Sequence, residues 1–151
     1  MRAKYDALAV CYLFRGDEVL FIKFDKKWNL KYSPPGGKVD KSETPLEAVL
    51  REFKEETGLE LINPKLKILA NWVDTTEGIN FVFVCNEYRG ELLESSVEGD
   101  LEWINIKDME NLDEFEMNKL FNKYLFKNGV FQGKFILDEN TDVIEYSIVE
   151  I

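Results

Sequence analysis

Between Thr44 and Gly58 the chain carries a full set of helix boundary signals, and the rest of the fold has to accommodate that helix. Thr44 is a side-chain N-cap, Pro45 sits at the first helical position where a missing N–H costs nothing, and Glu47 completes a capping box. Gly58 supplies the stop. Leu46, Val49, Leu50 and Phe53 recur at i, i+3, i+4 and i+7, one apolar stripe facing a core. The spacing predicts a helix over about 45–57.

Acids crowd the border of that stripe. With about 100° between successive residues, Glu52, Glu55 and Glu56 share a strip beside the apolar face rather than opposite it. Like charges at these spacings cost about 0.2–0.5 kcal/mol per pair, so the cluster calls for counter-charge, which divalent cations would provide. One turn earlier on the strip, Ala48 is read as leaving open space for metal-held phosphates. Arg51 and Lys54 are read as pointing away from that space, with Arg51 placed to brace Glu55 at i+4. Carboxylates and a backbone carbonyl suit hard Mg²⁺ or Mn²⁺, and the chemistry this implies is metal-assisted hydrolysis. The competing reading of the EFKEE segment is a solvated helix face.

The flanking chain reads as strands. Residues 4–14 and 18–24 are β-branched and aromatic runs around the turn Arg15-Gly16-Asp17, a hairpin. A short strand within 28–33 is ended by Pro34-Pro35-Gly36-Gly37, which can continue neither a helix nor a central ladder. Segments 60–73, 79–88 and 101–106 read as further strands, and 111–127 as a second amphipathic helix with Leu112, Phe115, Leu120, Tyr124 and Leu125 near one face. Two closing strands are expected at about 130–138 and 142–150. Mixed strands with two separated helices predict an α/β fold, one domain with a sheet covered by helices on both faces.

Charge narrows the function. Acidic residues number 29 against 19 basic ones, a formal charge of −10, and there is no histidine. Such a chain does not coat a nucleic-acid polymer, yet it can take a small polyanion when bound cations lie between the two. Without histidine, the general base and metal ligands must come from carboxylates, lysines, tyrosines or water, and soft zinc sites are disfavoured. Cys11 and Cys85 lie in apolar runs and read as small hydrophobes. No apolar stretch reaches the roughly 20 residues of a membrane span, and the N-terminal MRAKYDALAV lacks a signal-peptide core, so a soluble cytoplasmic protein without a membrane partner is expected.

Residues 37–59, GKVDKSETPLEAVLREFKEETGL, match the Nudix box G-x5-E-x7-R-E-U-x-E-E-x-G-U at Gly37, Glu43, Arg51, Glu52, Glu55, Glu56 and Gly58, with Phe53 and Leu59 at the bulky apolar places. The chain therefore resembles the Nudix hydrolases. The resemblance implies an α/β/α sandwich in which the Gly36 carbonyl and the side chains of Glu52, Glu55 and Glu56 hold Mg²⁺ while water attacks a bridging phosphate. It also implies that Glu52 or Glu56 takes the proton and that Arg51 and Glu43 pin loop to helix. The segment VEGDLEW at 97–103 and the C-terminal FQGKFILDENTDVIEYSIVEI resemble the oxidised-purine nucleoside triphosphatases of the MutT group. That likeness makes Glu98 a further metal ligand and Lys23 a phosphate contact.

One part of the pattern differs. Where those enzymes read the purine with a tryptophan followed by acidic or amide side chains, the count from Trp103 places Phe115, Met117 and Asn118 here. Phe115 can stack and Asn118 can bond a base edge, and Trp28, Asn29, Tyr32, Trp72 and Phe81 are further pocket candidates. Asp40 stands where glutamate is common in the family, and Lys41-Ser42 where a glycine often precedes the box glutamate. Three functions follow as expectations: conversion of a nucleoside triphosphate such as 8-oxo-dGTP to the monophosphate and pyrophosphate, hydrolysis of a nucleoside diphosphate sugar or ADP-ribose, or nucleotide sensing without catalysis. Monomer and homodimer both stay open.

Overall fold

The computed structural model describes residues 5–25 and 30–151, so Trp28 and Asn29 lie outside the described residues. The expected hairpin is present: β1 (Tyr5–Arg15) and β2 (Glu18–Phe24) pair antiparallel only near their turn, at Phe14 opposite Val19. Beyond that point β1 parts from β2 and pairs instead with β4 (Gly36–Lys38), Val10 opposite Gly36. A cleft therefore opens between two arms of one sheet. On its other edge β1 runs parallel to β7 (Glu77–Cys85), which pairs with β6 (Lys65–Val73), then β11 (Phe131–Leu137) and the edge strand β12 (Val143–Glu150). The second arm holds β3 (Tyr32–Ser33), β2, β10 (Gly99–Asn105) and β9 (Ser95–Ser96). The run expected at 60–73 is broken. Residues Glu60–Leu61 form β5 against β8 (Tyr88–Arg89), and Pro64, which has no N–H, precedes β6.

The first helix, α1, spans Pro45–Thr57 as its caps dictate, and it buries Val49 and Phe53 against one face of the sheet. Two side chains differ from the sequence reading. Leu46 is 44% exposed because the first turn overhangs the core, and Ala48 is fully buried, so its small side chain allows helix and sheet to approach closely and leaves no room for phosphate.

The second helix is much shorter than 111–127. Only α2 (Glu116–Phe121) is α-helical, with 3₁₀ turns at Ile106–Asn111 and Asn122–Tyr124. Residues 112–114 stay extended because β3 captures them: the Tyr32 N–H donates to the Asp113 carbonyl at 2.8 Å, and Glu114 bridges to Tyr32. Tertiary pairing overrides the local helical pattern here.

Apolar side chains fill both faces of the sheet. Ala9, Cys11, Leu13, Leu20 and Phe83 meet α1, while Val10, Tyr12, Phe21, Ile68 and Phe135 meet Phe121 and Leu125 of the α2 region. This is the α/β sandwich with helices on both sides. Cys11 and Cys85 are buried free thiols, and no helix among the described residues is long and apolar enough to cross a membrane.

The α2 side contains a buried acid, Glu114, 3% exposed. Burial pushes its carboxyl up to about 7, against partial offsets from the Asn122 amide and Lys119, and Tyr12 lies within electrostatic reach. An acid whose folded pKa exceeds its ordinary value of 4.5 penalises the fold once it must ionise. The penalty is absent below about 4.5, grows as pH rises to about 7, and amounts to about 3 kcal/mol. Thermal melts are expected to show stability falling across that window, with Glu114→Gln flattening the fall. An unchanged slope in the variant would assign the loss to other groups.

Candidate active site

The loop and helix of the box are locked from both ends. Thr44 Oγ1 accepts from the Glu47 N–H at 3.1 Å while Glu47 accepts from the Thr44 N–H at 2.9 Å, so the capping box closes as expected. Before the helix, the Cys11 N–H donates to the Pro35 carbonyl at 3.0 Å and the Val39 N–H to the Ala7 carbonyl at 2.8 Å, fixing β4 to β1. The pair Gly36-Gly37 is required by close approach. A Cβ on Gly36 would stand 2.2 Å from the Ala9 carbonyl oxygen, and one on Gly37 would stand 2.5 Å from the carboxyl carbon of Glu52. Gly37→Ala is therefore expected to displace the Glu52 carboxylate, a flexible side chain, with a loss of activity of about tenfold or more and a shift in melting temperature of only a few degrees. Steady-state assay alongside a melt checks this, and equal activity would show that the Glu52 position is not critical.

Arg51 is the hub. Its Nε and Nη2 hold the two oxygens of Glu43 at 2.7 and 2.9 Å, a fork-to-fork pair, and Nη2 also reaches the Lys38 carbonyl at 3.2 Å. Nη1 contacts Glu52 at 3.0 Å and Glu55 at 3.4 Å, and Asp40 adds a sixth oxygen at 3.2 Å. The guanidinium and the Asp40 N–H hold Glu43 at about 2. Arg51 thus turns toward the acids. The i+4 brace to Glu55 exists, but the pairs with Glu43 and Glu52 are shorter.

Glu56 is the buried member, 7% exposed. Burial raises its carboxyl to about 8, against a 2.9 Å hydrogen bond from the Gly36 N–H and with further upward pressure from Glu98, Glu52 and Glu55. Four acids from helix and turn therefore share one electrostatic neighbourhood in which Glu56 has no cationic partner among the described residues. The donors are all hard oxygens, which suits Mg²⁺ or Mn²⁺. As they stand, no three acids among the described residues gather tightly enough to chelate one ion. Glu52 and Glu55 lean on Arg51, and Glu56 leans on Gly36. What Gly36 presents to Glu56 is its N–H.

Glu98 lies exposed in the turn between β9 and β10, its carbonyl accepting from the Asp25 N–H at 3.2 Å. Lys23, Phe115 and Asn118 fall elsewhere, toward the α2 face. The Lys23 ammonium sits 5.6 Å above the Tyr32 ring, Phe115 is half-buried with the Lys31 ammonium 5.7 Å from its ring, and Asn118 is buried. Trp72 packs into the core edge over Gly78, and Phe81 packs on the α1 side. Asp40 and Glu114 escaped the sequence reading as site residues. Asp40 was visible as an acid three residues before Glu43, whereas nothing local marks Glu114.

A family model for the NUDIX domain matches residues 4–128. The uncharacterized Nudix hydrolase YvcI of Bacillus subtilis is 29% identical over 146 residues, covering 91% of this chain and 90% of its own. The ADP-ribose pyrophosphatase of Methanocaldococcus jannaschii is 33% identical over 105 residues, 65% of this chain and 60% of its own. Among solved structures, the MutT protein of Bacillus halodurans superposes with a TM-score of 0.90 at 29% identity, covering 95% of this chain and 97% of that one. With the box clamp, the glutamate cluster and the split sheet in place, this chain belongs to the Nudix family of phosphoanhydride hydrolases.

Proposed function

We propose that this single domain, residues 1–151, hydrolyses a nucleoside triphosphate to the monophosphate and pyrophosphate in the cytoplasm, with an oxidised purine deoxynucleotide such as 8-oxo-dGTP as the candidate substrate. The observation that carries the reading is Glu56, buried against the Gly36 amide amid Glu52, Glu55 and Glu98. A partial match to the 8-oxo-dGTP diphosphatase of Haemophilus influenzae, 43% identical over 58 residues, supports the triphosphate.

The Gly36 carbonyl with Glu52, Glu55, Glu56 and Glu98 would hold Mg²⁺, or Mn²⁺ in its place. Such cations supply positive charge at phosphate oxygens and acidify water. Arg51 and Glu43 keep the loop and helix at fixed separation, so the reacting groups meet in one geometry. Glu56, held in place by the Gly36 N–H, or Glu52 beside it takes the proton of the attacking water in its ionised form. As oxygen bonds to phosphorus, the bond to the pyrophosphate leaving group breaks. Lys23 steadies the phosphates, and Phe115 and Asn118 stack on and hydrogen-bond the base, with Asn29 a further base contact.

A second reading rests on the ADP-ribose pyrophosphatase relative. A panel of triphosphates, nucleoside diphosphate sugars and ADP-ribose, assayed with Mg²⁺ and with Mn²⁺ for pyrophosphate against phosphomonoester products, decides between them. Pyrophosphate release from triphosphates is expected, and turnover confined to ADP-ribose or sugar nucleotides would replace the first reading with the second. Nucleotide binding with no turnover at all would leave a sensor.

A further inference from the structure

Among the described residues, three buried oxygens on the α2 side, Tyr12 Oη, Glu114 Oε1 and Asn122 Oδ1, have no hydrogen-bond partner, and Asn80 Oδ1 on β7 is a fourth such atom. The first three belong to one neighbourhood. Asn122 Nδ2 donates to the other Glu114 oxygen at 3.1 Å, and Tyr12 feels the Glu114 carboxyl electrostatically although no direct bond joins them. Leaving a buried polar atom unsatisfied costs about 1–3 kcal/mol, so three at one place point to a shared partner that both donates and accepts. A water molecule does both, with two donors and two acceptors, and such waters typically make about three bonds.

We propose that Tyr12, Glu114 and Asn122 close around one internal water, and that this network positions the nucleobase end of the site by fixing residues 113–118, with Phe115 and Asn118, against β3. The positioning role rests on the nucleotide-hydrolase reading; the water network does not. The segment has little hold of its own, since α2 is six residues long and its N-cap, Phe115, makes no side-chain cap hydrogen bond. Residues 31 and 32 fasten it: the Tyr32 N–H donates to the Asp113 carbonyl at 2.8 Å, Lys31 pairs with Asp113 at 3.1 Å, and Glu114 bridges to Tyr32. Tyr32 in turn lies under Lys23, and three residues on, the chain reaches Pro35-Gly36, which meets Glu56. Glu114 thus links β3 to the α2 region at a buried point within electrostatic reach of Tyr12 on β1.

The test compares Glu114→Leu, Glu114→Gln and Tyr12→Phe in the full chain, by amide hydrogen exchange without substrate and by steady-state kinetics on a nucleoside triphosphate. In Glu114→Leu the amides of 112–118 and 31–33 are expected to exchange about tenfold faster or more while those of 45–57 keep the wild-type rate. KM is expected to rise about fivefold or more with kcat within about twofold. Glu114→Gln, which can still donate and accept, restores both readouts, and Tyr12→Phe loosens the same amides more weakly. Wild-type exchange at 112–118 in Glu114→Leu, equal loosening of 45–57, or a glutamine variant no better than leucine overturns the network. Should Glu114→Leu fail to fold, Tyr12→Phe set against wild type decides on the same segments. A chain that turns over no nucleotide overturns the hydrolase reading and the positioning role with it, while exchange still decides the network.

Discussion

Glu56→Gln is expected to lower kcat by about 10²–10³ or more while leaving the fold in place. The amide keeps an oxygen to accept from the Gly36 N–H, so the loop stays attached, but it cannot take a proton and is a poor ligand for a hard cation. The sign of the stability effect separates this residue from an ordinary structural acid. Burial and the neighbouring Glu98, Glu52 and Glu55 raise the Glu56 carboxyl to about 8, so its penalty on the fold grows as pH climbs from the ordinary 4.5 toward that value. Without added metal at neutral pH, the glutamine variant should therefore melt at the wild-type temperature or above it. Glu55→Gln is the control. Its side chain is 60% exposed, and a smaller loss is expected. Near-normal turnover in Glu56→Gln would remove Glu56 from the chemistry and return the base to Glu52.

Replacing Arg51 strips counter-charge from Asp40, Glu43, Glu52 and Glu55 together. Exposed ion pairs contribute little singly, but a two-pronged pair to Glu43 on a guanidinium only 29% exposed is a different case. Arg51→Ala is expected to cost about 2 kcal/mol, a fall of about 4–8 °C in melting temperature, and about 10²-fold in kcat because Glu52 and the 38–43 loop lose their shared anchor. Arg51→Lys keeps the charge without the planar fork and should fall between. The acid limb offers a second check. Glu43, held at about 2, contributes stability that is fully present above its ordinary 4.5 and is lost as pH drops toward 2. In Arg51→Ala that part of the acid transition should vanish. Wild-type melting and turnover in the alanine variant would refute the clamp.

Legibility in the sequence followed how local each feature is. Both ends of α1 were readable because Thr44, Pro45, Glu47 and Gly58 act within one turn of themselves. The strip of acids was readable for the same reason. Burial is not local, so Leu46 and Ala48 exchanged roles once the sheet was in place. The second helix was overextended because the backbone of Tyr32, some 80 residues earlier, claims Asp113 and Glu114. Glu114 itself sits among acids in DEFE and becomes distinctive only when topology brings Tyr12 and Asn122 beside it.

The parallel pairing of β1 with β7, Tyr5 opposite Glu77 and Leu13 opposite Cys85, has a consequence for biosynthesis. A ribosome delivers the glutamate-bearing helix well before the strand that completes the floor beneath it. Until Cys85 has emerged, Val49 and Phe53 have only part of their burial surface, and Phe135, which closes the opposite face, comes later still. The nascent chain must carry its reactive segment unsupported through that interval, so acquisition of activity is a late and cooperative event governed by long-range strand docking rather than by the helix's own strong propensity.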